Sequence, residues 1–255
     1  MGFSVKYKKR DIVTKVNGNS VVWRYMQHDK FVRLVNNSSL WFSRASAMTD
    51  KYELTIPEQS RDAFRRHLTE AGVSKEKLES KENDYYWENE PNKESSLINC
   101  WSKDRDENYA LWKIYLGGDK DGVAIRTTAG KLRKSLIQKE ESINYSPGFK
   151  FSMAEVKYRH YIKYDELNPV SVLTTKKPFY KFENEVRLFS LEEDHHSLLS
   201  HDDKGVNVPV DLDVMLQEIY ISPFSTLSYR KEVELLLRSH SNMKEKIKLS
   251  QVWDS

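Results

Sequence analysis

Two glutamates and an arginine share the stretch Lys181–Phe189, in which polar and apolar residues alternate from Phe182 onward. Alternation of period two is typical of a β-strand and places Glu183, Glu185 and Arg187 on one face. Same-face neighbours on a strand lie about 6.5–7 Å apart. Two carboxylates this close raise each other's pKa unless a cation lies nearby, and Arg187 is placed to be that cation. The stretch predicts either a carboxylate pair for acid–base chemistry or the solvated face of an edge strand.

A second arrangement of acidic residues offers metal chemistry as an alternative. Asp50 and Glu53 lie in a predicted loop that follows a strand. Together with Glu183 and Glu185 they would provide the oxygen ligands that Mg²⁺ prefers. A metal-dependent nuclease or phosphodiesterase is therefore an open alternative.

Two further features lack the pattern of a site. The single cysteine, Cys100, lies on a predicted strand with no base nearby in sequence, which is typical of a small buried residue rather than a nucleophile. A polar loop from Leu191 to Gly205 has no established metal-ligand spacing. Its ionisable residues include Asp194, His195, His196, His201, Asp202 and Asp203. The chain also lacks a G-x-G-x-x-G or Walker A loop, so any dinucleotide would bind without those loops.

Strand signals position the remaining polar candidates. Val21–Met26 is rich in β-branched and aromatic residues and predicts a strand that carries Arg24. Leu40–Arg44 predicts a second strand that carries Ser43. A third stretch, Ala154–Tyr164, alternates and predicts a long strand. Because strands and helices alternate irregularly and several strands follow one another, we expect an α+β fold rather than a doubly wound parallel sheet.

Composition limits the classes of protein. The chain has 255 residues, with 41 Lys and Arg against 38 Asp and Glu, and this balance neither implies nor excludes a nucleic-acid partner. No apolar run approaches a transmembrane length, no signal-peptide core is present, and one cysteine rules out an internal disulfide. We expect a cytoplasmic protein with no membrane partner. Residues 1–255 should form one domain, with a lead-in at 1–20 and a charged helical insertion at 58–95.

Several short motifs, taken in order, resemble a bacterial family of unknown function. Members show an aromatic-Arg/Lys-Tyr start, an aromatic-Phe-Ser segment before an Asn-Asp-Pro-like turn, and a late Glu-x-Glu-x-Arg. The corresponding segments here are Trp23-Arg24-Tyr25-Met26, Leu40-Trp41-Phe42-Ser43-Arg44-Ala45, Asn99-Cys100-Trp101-Ser102, Ala110-Leu111-Trp112-Lys113-Ile114-Tyr115 and Glu183-Asn184-Glu185-Val186-Arg187. The chain departs at the turn, where Met48-Thr49-Asp50-Lys51 replaces Phe-Asn-Asp-Pro. The resemblance suggests bacterial toxin or phage-defence biology and spans about residues 21–225.

The chain also resembles, more distantly, the ADP-ribosyltransferase fold. That fold carries Arg or His, then Ser, Thr or Tyr, then Glu on three strands in chain order, and Arg24, Ser43 and Glu185 match this order. The resemblance implies two packed, mainly antiparallel sheets with a helical insertion, and NAD as the substrate. The reaction would be ADP-ribosyl transfer or NAD hydrolysis.

The same resemblance implies a role for each residue. Arg24 would contact the ribose or phosphate of NAD, since its planar fork of donors suits an anion. Ser43 would help shape the nicotinamide pocket, with Tyr25 or Trp41 as stacking surfaces.

Both carboxylates would take part in the reaction itself. Glu185 would stabilise the oxocarbenium-like charge that develops as the glycosidic bond breaks. Glu183 would orient or deprotonate the acceptor, which the sequence leaves open among a protein, a nucleic acid, a small molecule and water. Besides metal-dependent hydrolysis, a non-catalytic ligand sensor or interaction protein is the other alternative.

Overall fold

The computed structural model describes residues 16–48, 53–136, 151–191, 203–240 and 243–252. Its strands are β1 Val21–Gln27, β2 Ser39–Arg44, β3 Leu97–Ser102, β4 Gly122–Thr128, β5 Ser152–Glu155, β6 Lys157–Tyr158, β7 Thr175–Lys176, β8 Glu185–Ser190, β9 Gly205–Pro209, β10 Glu218–Ile221 and β11 Ile247–Leu249. Its α-helices are α1 His28–Asn37, α2 Glu58–Glu70, α3 Lys75–Asn89, α4 Tyr109–Leu116, α5 Ala129–Ser135, α6 Pro169–Leu173, α7 Leu212–Met215 and α8 Leu227–Leu236. The fold is therefore α+β, as predicted.

Nine of these strands form one mixed sheet. The main path runs β11-β10-β4-β1-β3-β2-β9, and β8 and β5 extend it from the other edge of β3. Pairing within it is antiparallel except between β10 and β11, so the mainly antiparallel character is confirmed for the described strands. β6 and β7 form a separate parallel pair.

The expectation of two packed sheets is wrong, because β3 joins both halves into one sheet. One edge of β3 pairs along its whole length with β8. At the other edge, Ser102 pairs with Trp23 of β1, while Ile98 at the opposite end pairs with Ser43 of β2. β1 and β2 therefore separate along one edge of β3, and the sheet forks there.

The two faces of the sheet are covered differently. Helices α1, α5, α7 and α8 lie on one face and bury Phe31, Leu132 and Val233 in the same apolar cluster as Phe42 and Val186. The opposite face contacts α4 near the β1 half and α6 near the β8 half. Side chains at Trp23, Ser102 and Glu185 share this second face because they are directly paired across β1, β3 and β8.

The segment predicted as a charged insertion contains α2 and α3. Phe64 of α2 stacks on Tyr85 of α3 with ring centroids 3.9 Å apart. The long strand predicted over Ala154–Tyr164 is wrong, because it divides into β5 and β6 before a 3₁₀-helix at Tyr164–Glu166. Among the described residues, no helix has both the length and the apolar character needed to cross a bilayer.

Candidate functional site

The two predicted carboxylates lie on different elements. Glu183 ends a 3₁₀-helix, Pro178–Glu183, and Glu185 begins β8. Asn184 between them is left-handed, with φ 41°, a conformation in which Asn is enriched. Its side chain donates to the carbonyl of Lys103 and, at 3.1 Å, to Asp104 Oδ1. The prediction of one strand through Glu183 is therefore wrong, although Glu185 and Arg187 do share a face.

Lys176 brings the two carboxylates together. Its Nζ donates to Glu183 Oε2 at 2.5 Å and to Glu185 Oε2 at 3.0 Å. Glu53 Oε1 lies 3.4 Å from the same nitrogen. One ammonium group therefore contacts three carboxylates, two from the stretch Glu183–Glu185 and one from the distant Glu53.

Arg187 is the second cation of the cluster and is completely buried. Its Nε donates to Glu185 Oε1 at 2.6 Å and one terminal nitrogen donates to Glu185 Oε2 at 3.1 Å, a bidentate pair. The same terminal nitrogen contacts Glu53, and the other donates to the carbonyl of Leu173 at 2.5 Å. The strand that carries Arg187 pairs on both edges, with β3 and β5, so the edge-strand interpretation of this stretch is wrong.

The surroundings drive the pKa values of the two carboxylates apart. Burial alone would raise the pKa of Glu185, but the charge and hydrogen bonds of Arg187 and the charge of Lys176 lower it to about 2. Burial raises the pKa of Glu183, and its hydrogen bond to Lys176 offsets only part of that effect. Glu185 is therefore ionised at neutral pH, whereas burial favours the protonated form of Glu183. Carboxylate pairs of this kind are typical of acid–base sites.

Arg24 lies at the fork of the sheet, beside the cluster. One terminal nitrogen donates to the backbone carbonyl of Cys100 at 2.5 Å, and the guanidinium lies 6.0 Å from the ring centroid of Trp101. Burial lowers the pKa of Arg24, while the negative charge of Glu185 acts in the opposite direction. The fold thus brings Arg24 and Glu185, the first and last residues of the predicted triad, into one region.

The thiol of Cys100, next to this fork, is held in its protonated form. Burial raises the pKa of the Cys100 thiol well above its ordinary value, and the charge of Glu185 raises it further. The thiol hydrogen-bonds to the Glu185 carboxylate. This agrees with the interpretation of Cys100 as a small residue on a largely buried strand.

Two tyrosines complete the surroundings of the pair. The Tyr158 hydroxyl accepts from the backbone N–H of Glu185 at 2.7 Å. Tyr115, on α4, is 41% exposed and lies close enough to Glu183, Glu185 and Arg24 for their charges to act on its pKa. Burial is the main cause of the raised pKa of both Tyr115 and Tyr158, so both hydroxyls stay protonated at physiological pH.

The remaining predicted binding residues lie elsewhere or serve the fold. Ser43 pairs with Ile98, four residues along β3 from the partner of Glu185, which corresponds to a separation of about 13 Å along the strand. Trp41 is 42% exposed on the same strand as Ser43. Tyr25 is buried, and its hydroxyl accepts from the backbone N–H of Asn108 at 2.8 Å. The fold therefore does not bring Ser43 or Trp41 to the carboxylates.

The metal alternative has less geometric support. Glu53, Glu183 and Glu185 do converge, but Lys176 and Arg187 occupy the space between their carboxylates. Within the described ranges no group of three or more His, Cys, Asp or Glu side chains has the arrangement of a metal site. Asp50 lies outside the described residues, as do Asp194, His195, His196, His201 and Asp202, whereas Asp203 is described.

Sequence reasoning missed Lys176, Tyr115 and Tyr158. Lys176 reaches the carboxylates because β7 pairs with β6, and Tyr158 of β6 lies directly beside Lys176 in that pair. Neither two-residue strand has a periodicity that a sequence pattern could reveal. The double lysine before Pro178, seven residues from Glu183, is the signal that could have indicated a cation here.

A cavity of about 380 Å³ lies on the same face of the sheet, beside the β1 half. Its lining includes Trp23, Arg126 and Tyr220, but neither carboxylate of the pair. Asp104 lies between: its carbonyl accepts from the Trp23 indole at 2.9 Å, and its carboxylate accepts from Asn184. The cavity and the carboxylate pair are therefore separate places on one face.

Comparison of this chain with protein-family models, curated proteins and solved structures gave no match.

Proposed function

We propose that the protein breaks the glycosidic bond of NAD and transfers the ADP-ribosyl group to an acceptor or to water. The observation that carries the proposal is the position of Arg24 at the fork of the sheet near Glu185, which Lys176 joins to a second carboxylate, Glu183. Cleavage of this bond develops positive charge on the ribose, which demands a fixed anion close by. Glu185 meets that demand because its pKa of about 2 keeps it ionised at any physiological pH.

Each residue has a distinct task in this reaction. As the bond from ribose C1′ to the nicotinamide nitrogen breaks, nicotinamide leaves with the electron pair, and Glu185 stabilises the cationic ribose. The acceptor's oxygen or nitrogen then bonds to C1′, and its proton passes to Glu183. A carboxyl with a raised pKa is suited to that transfer, because its pKa lies closer to the working pH.

Arg24 would orient the substrate. A guanidinium has five N–H donors, and within the described ranges the Arg24 side chain donates one hydrogen bond, to the carbonyl of Cys100. Its remaining donors suit the pyrophosphate or a ribose oxygen. Tyr115, half exposed beside Glu183, would supply the aromatic surface that was expected of Tyr25 and Trp41. The proposal therefore gives Ser43 and Trp41 no role in the site.

The test is nicotinamide release from NAD, followed by one-dimensional NMR with purified wild type, Glu183→Gln and Glu185→Gln. We expect both variants to be at least about a hundredfold slower, the scale for losing one electrostatic stabiliser. Glu234→Gln is the matched control: this carboxylate pairs with Arg230 on α8, on the opposite face of the sheet. The proposal is wrong if wild type releases no nicotinamide from NAD, or if either variant turns over at the normal rate.

A further inference from the structure

Two segments of similar composition run side by side next to the carboxylate pair. Residues 157–164 and 175–182 are joined by the parallel pairing of β6 with β7, in which Tyr158 lies opposite Lys176. The backbone N–H of Arg159 donates to the carbonyl of Lys176 at 2.9 Å, so the pairing continues past the strands. We call these sixteen residues the basic-aromatic strip.

The strip interleaves cations with aromatic rings. Its cationic residues are Lys157, Arg159, Lys163, Lys176, Lys177 and Lys181, and its aromatic residues are Tyr158, Tyr161, Tyr164, Phe179, Tyr180 and Phe182. Neither segment contains Asp or Glu, although the whole chain balances 41 Lys and Arg with 38 Asp and Glu. Two of these cations already contact carboxylates: Lys176 in the ion cluster, and Arg159 with Glu166 at 2.6 Å. The exposed lysines of the strip, including Lys157, Lys163 and Lys181, therefore carry the positive charge that would attract a polyanion.

Much of the strip faces solvent, including its large apolar rings. Phe179 is 64% exposed, Tyr161 is 46% exposed and Phe182 is 44% exposed. Lys177 Nζ lies 5.9 Å from the ring centroid of Phe179. These rings are too exposed to serve as part of the hydrophobic core, and lysines lie next to them in the strip.

The strip also leads directly into the candidate active site. Lys176, one of its members, holds Glu183 and Glu185, and Phe182 precedes Glu183 in the chain. The carbonyl of Phe182 accepts from the Asn108 side chain at 3.4 Å, which ties this end of the strip to the start of α4. A ligand lying along the strip would therefore end beside the carboxylate pair.

We propose that the basic-aromatic strip binds a single-stranded nucleic acid and presents it to Glu183 as the acceptor; the acceptor role rests on the proposed function. Exposed aromatic rings stack with unpaired bases, while lysines contact the phosphates between them. A duplex keeps its base faces inside the helix, so it offers phosphates to the lysines but no free ring face to the aromatic side chains. An acidic peptide would satisfy the lysines but leave Phe179, Tyr161 and Phe182 without planar partners.

The group transfer is balanced without another reagent. A base amine or a sugar hydroxyl of the strand bonds to ribose C1′, nicotinamide leaves with the electrons of the broken bond, and the acceptor's proton goes to Glu183. The products are nicotinamide and an ADP-ribosylated strand.

Binding is tested first, without NAD, by fluorescence anisotropy of labelled oligonucleotides at several salt concentrations. Single-stranded DNA, single-stranded RNA of the same sequence and duplex DNA are compared. The variants are Phe179→Ala/Phe182→Ala and Lys177→Glu/Lys181→Glu. The matched controls are Trp87→Ala, an 89% exposed ring on α3, and Lys231→Glu, an exposed lysine on α8.

We expect a single strand to bind more tightly than the duplex, and the aromatic variant to weaken binding about fivefold to a hundredfold per lost stacking contact. The lysine variant should lower the slope of log K against log salt by about 1.4, since each lost phosphate contact contributes about 0.7 for single strands. The controls should bind as wild type does. Comparison of the DNA and RNA oligonucleotides identifies which of the two nucleic acids binds more tightly.

The binding claim is overturned if no oligonucleotide binds at low salt, if the duplex binds as well as the single strand, or if the control variants lose as much affinity as the strip variants. The acceptor claim is tested separately, by mass spectrometry of the oligonucleotide after incubation with NAD. Nicotinamide release with an unmodified, bound strand would overturn the acceptor role while leaving NAD cleavage intact. Strand binding without any nicotinamide release would instead overturn the proposed function.

Discussion

Glu185→Gln removes the negative charge at the centre of the ion cluster while keeping the shape of the side chain. The pKa of Glu185 falls from its ordinary 4.5 to about 2 in the folded protein. Since a tenfold change in proton affinity is about 1.4 kcal/mol, the ionised carboxylate contributes about 3 kcal/mol to folding at neutral pH. That is close to the 3–5 kcal/mol expected when one partner of a buried ion pair is removed. We expect a loss of about 3 kcal/mol for Glu185→Gln at pH 7.

The loss should depend on pH in a defined direction. Because the folded pKa lies below the unfolded one, the stabilisation is present above pH 4.5 and is lost as pH falls towards 2. Wild type gradually acquires a neutral carboxyl at position 185, and so comes to resemble the variant. The difference in unfolding free energy at pH 3 should be less than half of that at pH 7.

Urea denaturation, followed by tryptophan fluorescence at intervals between pH 3 and 7, measures this difference. In the single variant, Glu183 could strengthen its ion pair with Lys176 and so hide part of the loss. The same series in a Glu183→Gln background removes that possibility and is the control. There the loss should be at least as large. A loss below about 1 kcal/mol in both backgrounds, or one that stays constant from pH 3 to 7, would refute this account of the cluster.

Three further outcomes are expected. Glu183→Gln should leave the free energy of unfolding at pH 7, measured by urea denaturation, unchanged or higher. The reason is that the pKa of Glu183 is raised in the folded protein, so its ionisation destabilises the fold. Wild type should accordingly lose stability as pH rises from 4.5 through the folded pKa. Arg24→Ala should lower the unfolding free energy by about 1–3 kcal/mol, because the Cys100 carbonyl at the fork loses its charged donor. Gly205→Ala should lower the Tm by several degrees, because a Cβ there would lie 2.2 Å from the backbone oxygen of Phe42. Gly18→Ala is the control and should leave the Tm unchanged, because the nearest atom to its Cβ would be 3.6 Å away, an ordinary contact.

Local sequence patterns correctly predicted the strands whose stability depends mainly on the composition of the strand itself. The strands that carry Arg24 and Ser43 have the predicted β-branched and aromatic composition, and each lies where the pattern placed it. Glu185 and Arg187 do share a face, because β8 is regular from Glu185 onward. The break at Asn184 also had a local signal, since Asn is among the few residues that enter the left-handed region readily.

The sequence could not reveal which strands pair or in what register. β8 is central because β3 and β5 pair with its two edges, and β3 lies more than 80 residues away in the chain. Pairing over such distances depends on packing of the whole sheet rather than on a local pattern. The order Arg24, Ser43, Glu185 could likewise be read from the chain. The sequence did not reveal that Ser43 pairs with one end of β3 and Glu185 with the other.

The contrast between the two carboxylates follows from the single break at Asn184. In a continuous strand, Glu183 would point from the same face as Glu185 and Arg187, and the arginine would neutralise both. Instead the left-handed turn leaves Glu183 on the 3₁₀-helix, with Lys176 as the cation it contacts, while Glu185 has both Lys176 and Arg187. Three carboxylates share the two cations of the cluster, and of the pair Glu183 and Glu185 it is Glu183 whose pKa is raised. A carboxyl that costs stability when ionised, and that lies half-buried at the end of an exposed aromatic segment, is the group we expect function rather than folding to retain.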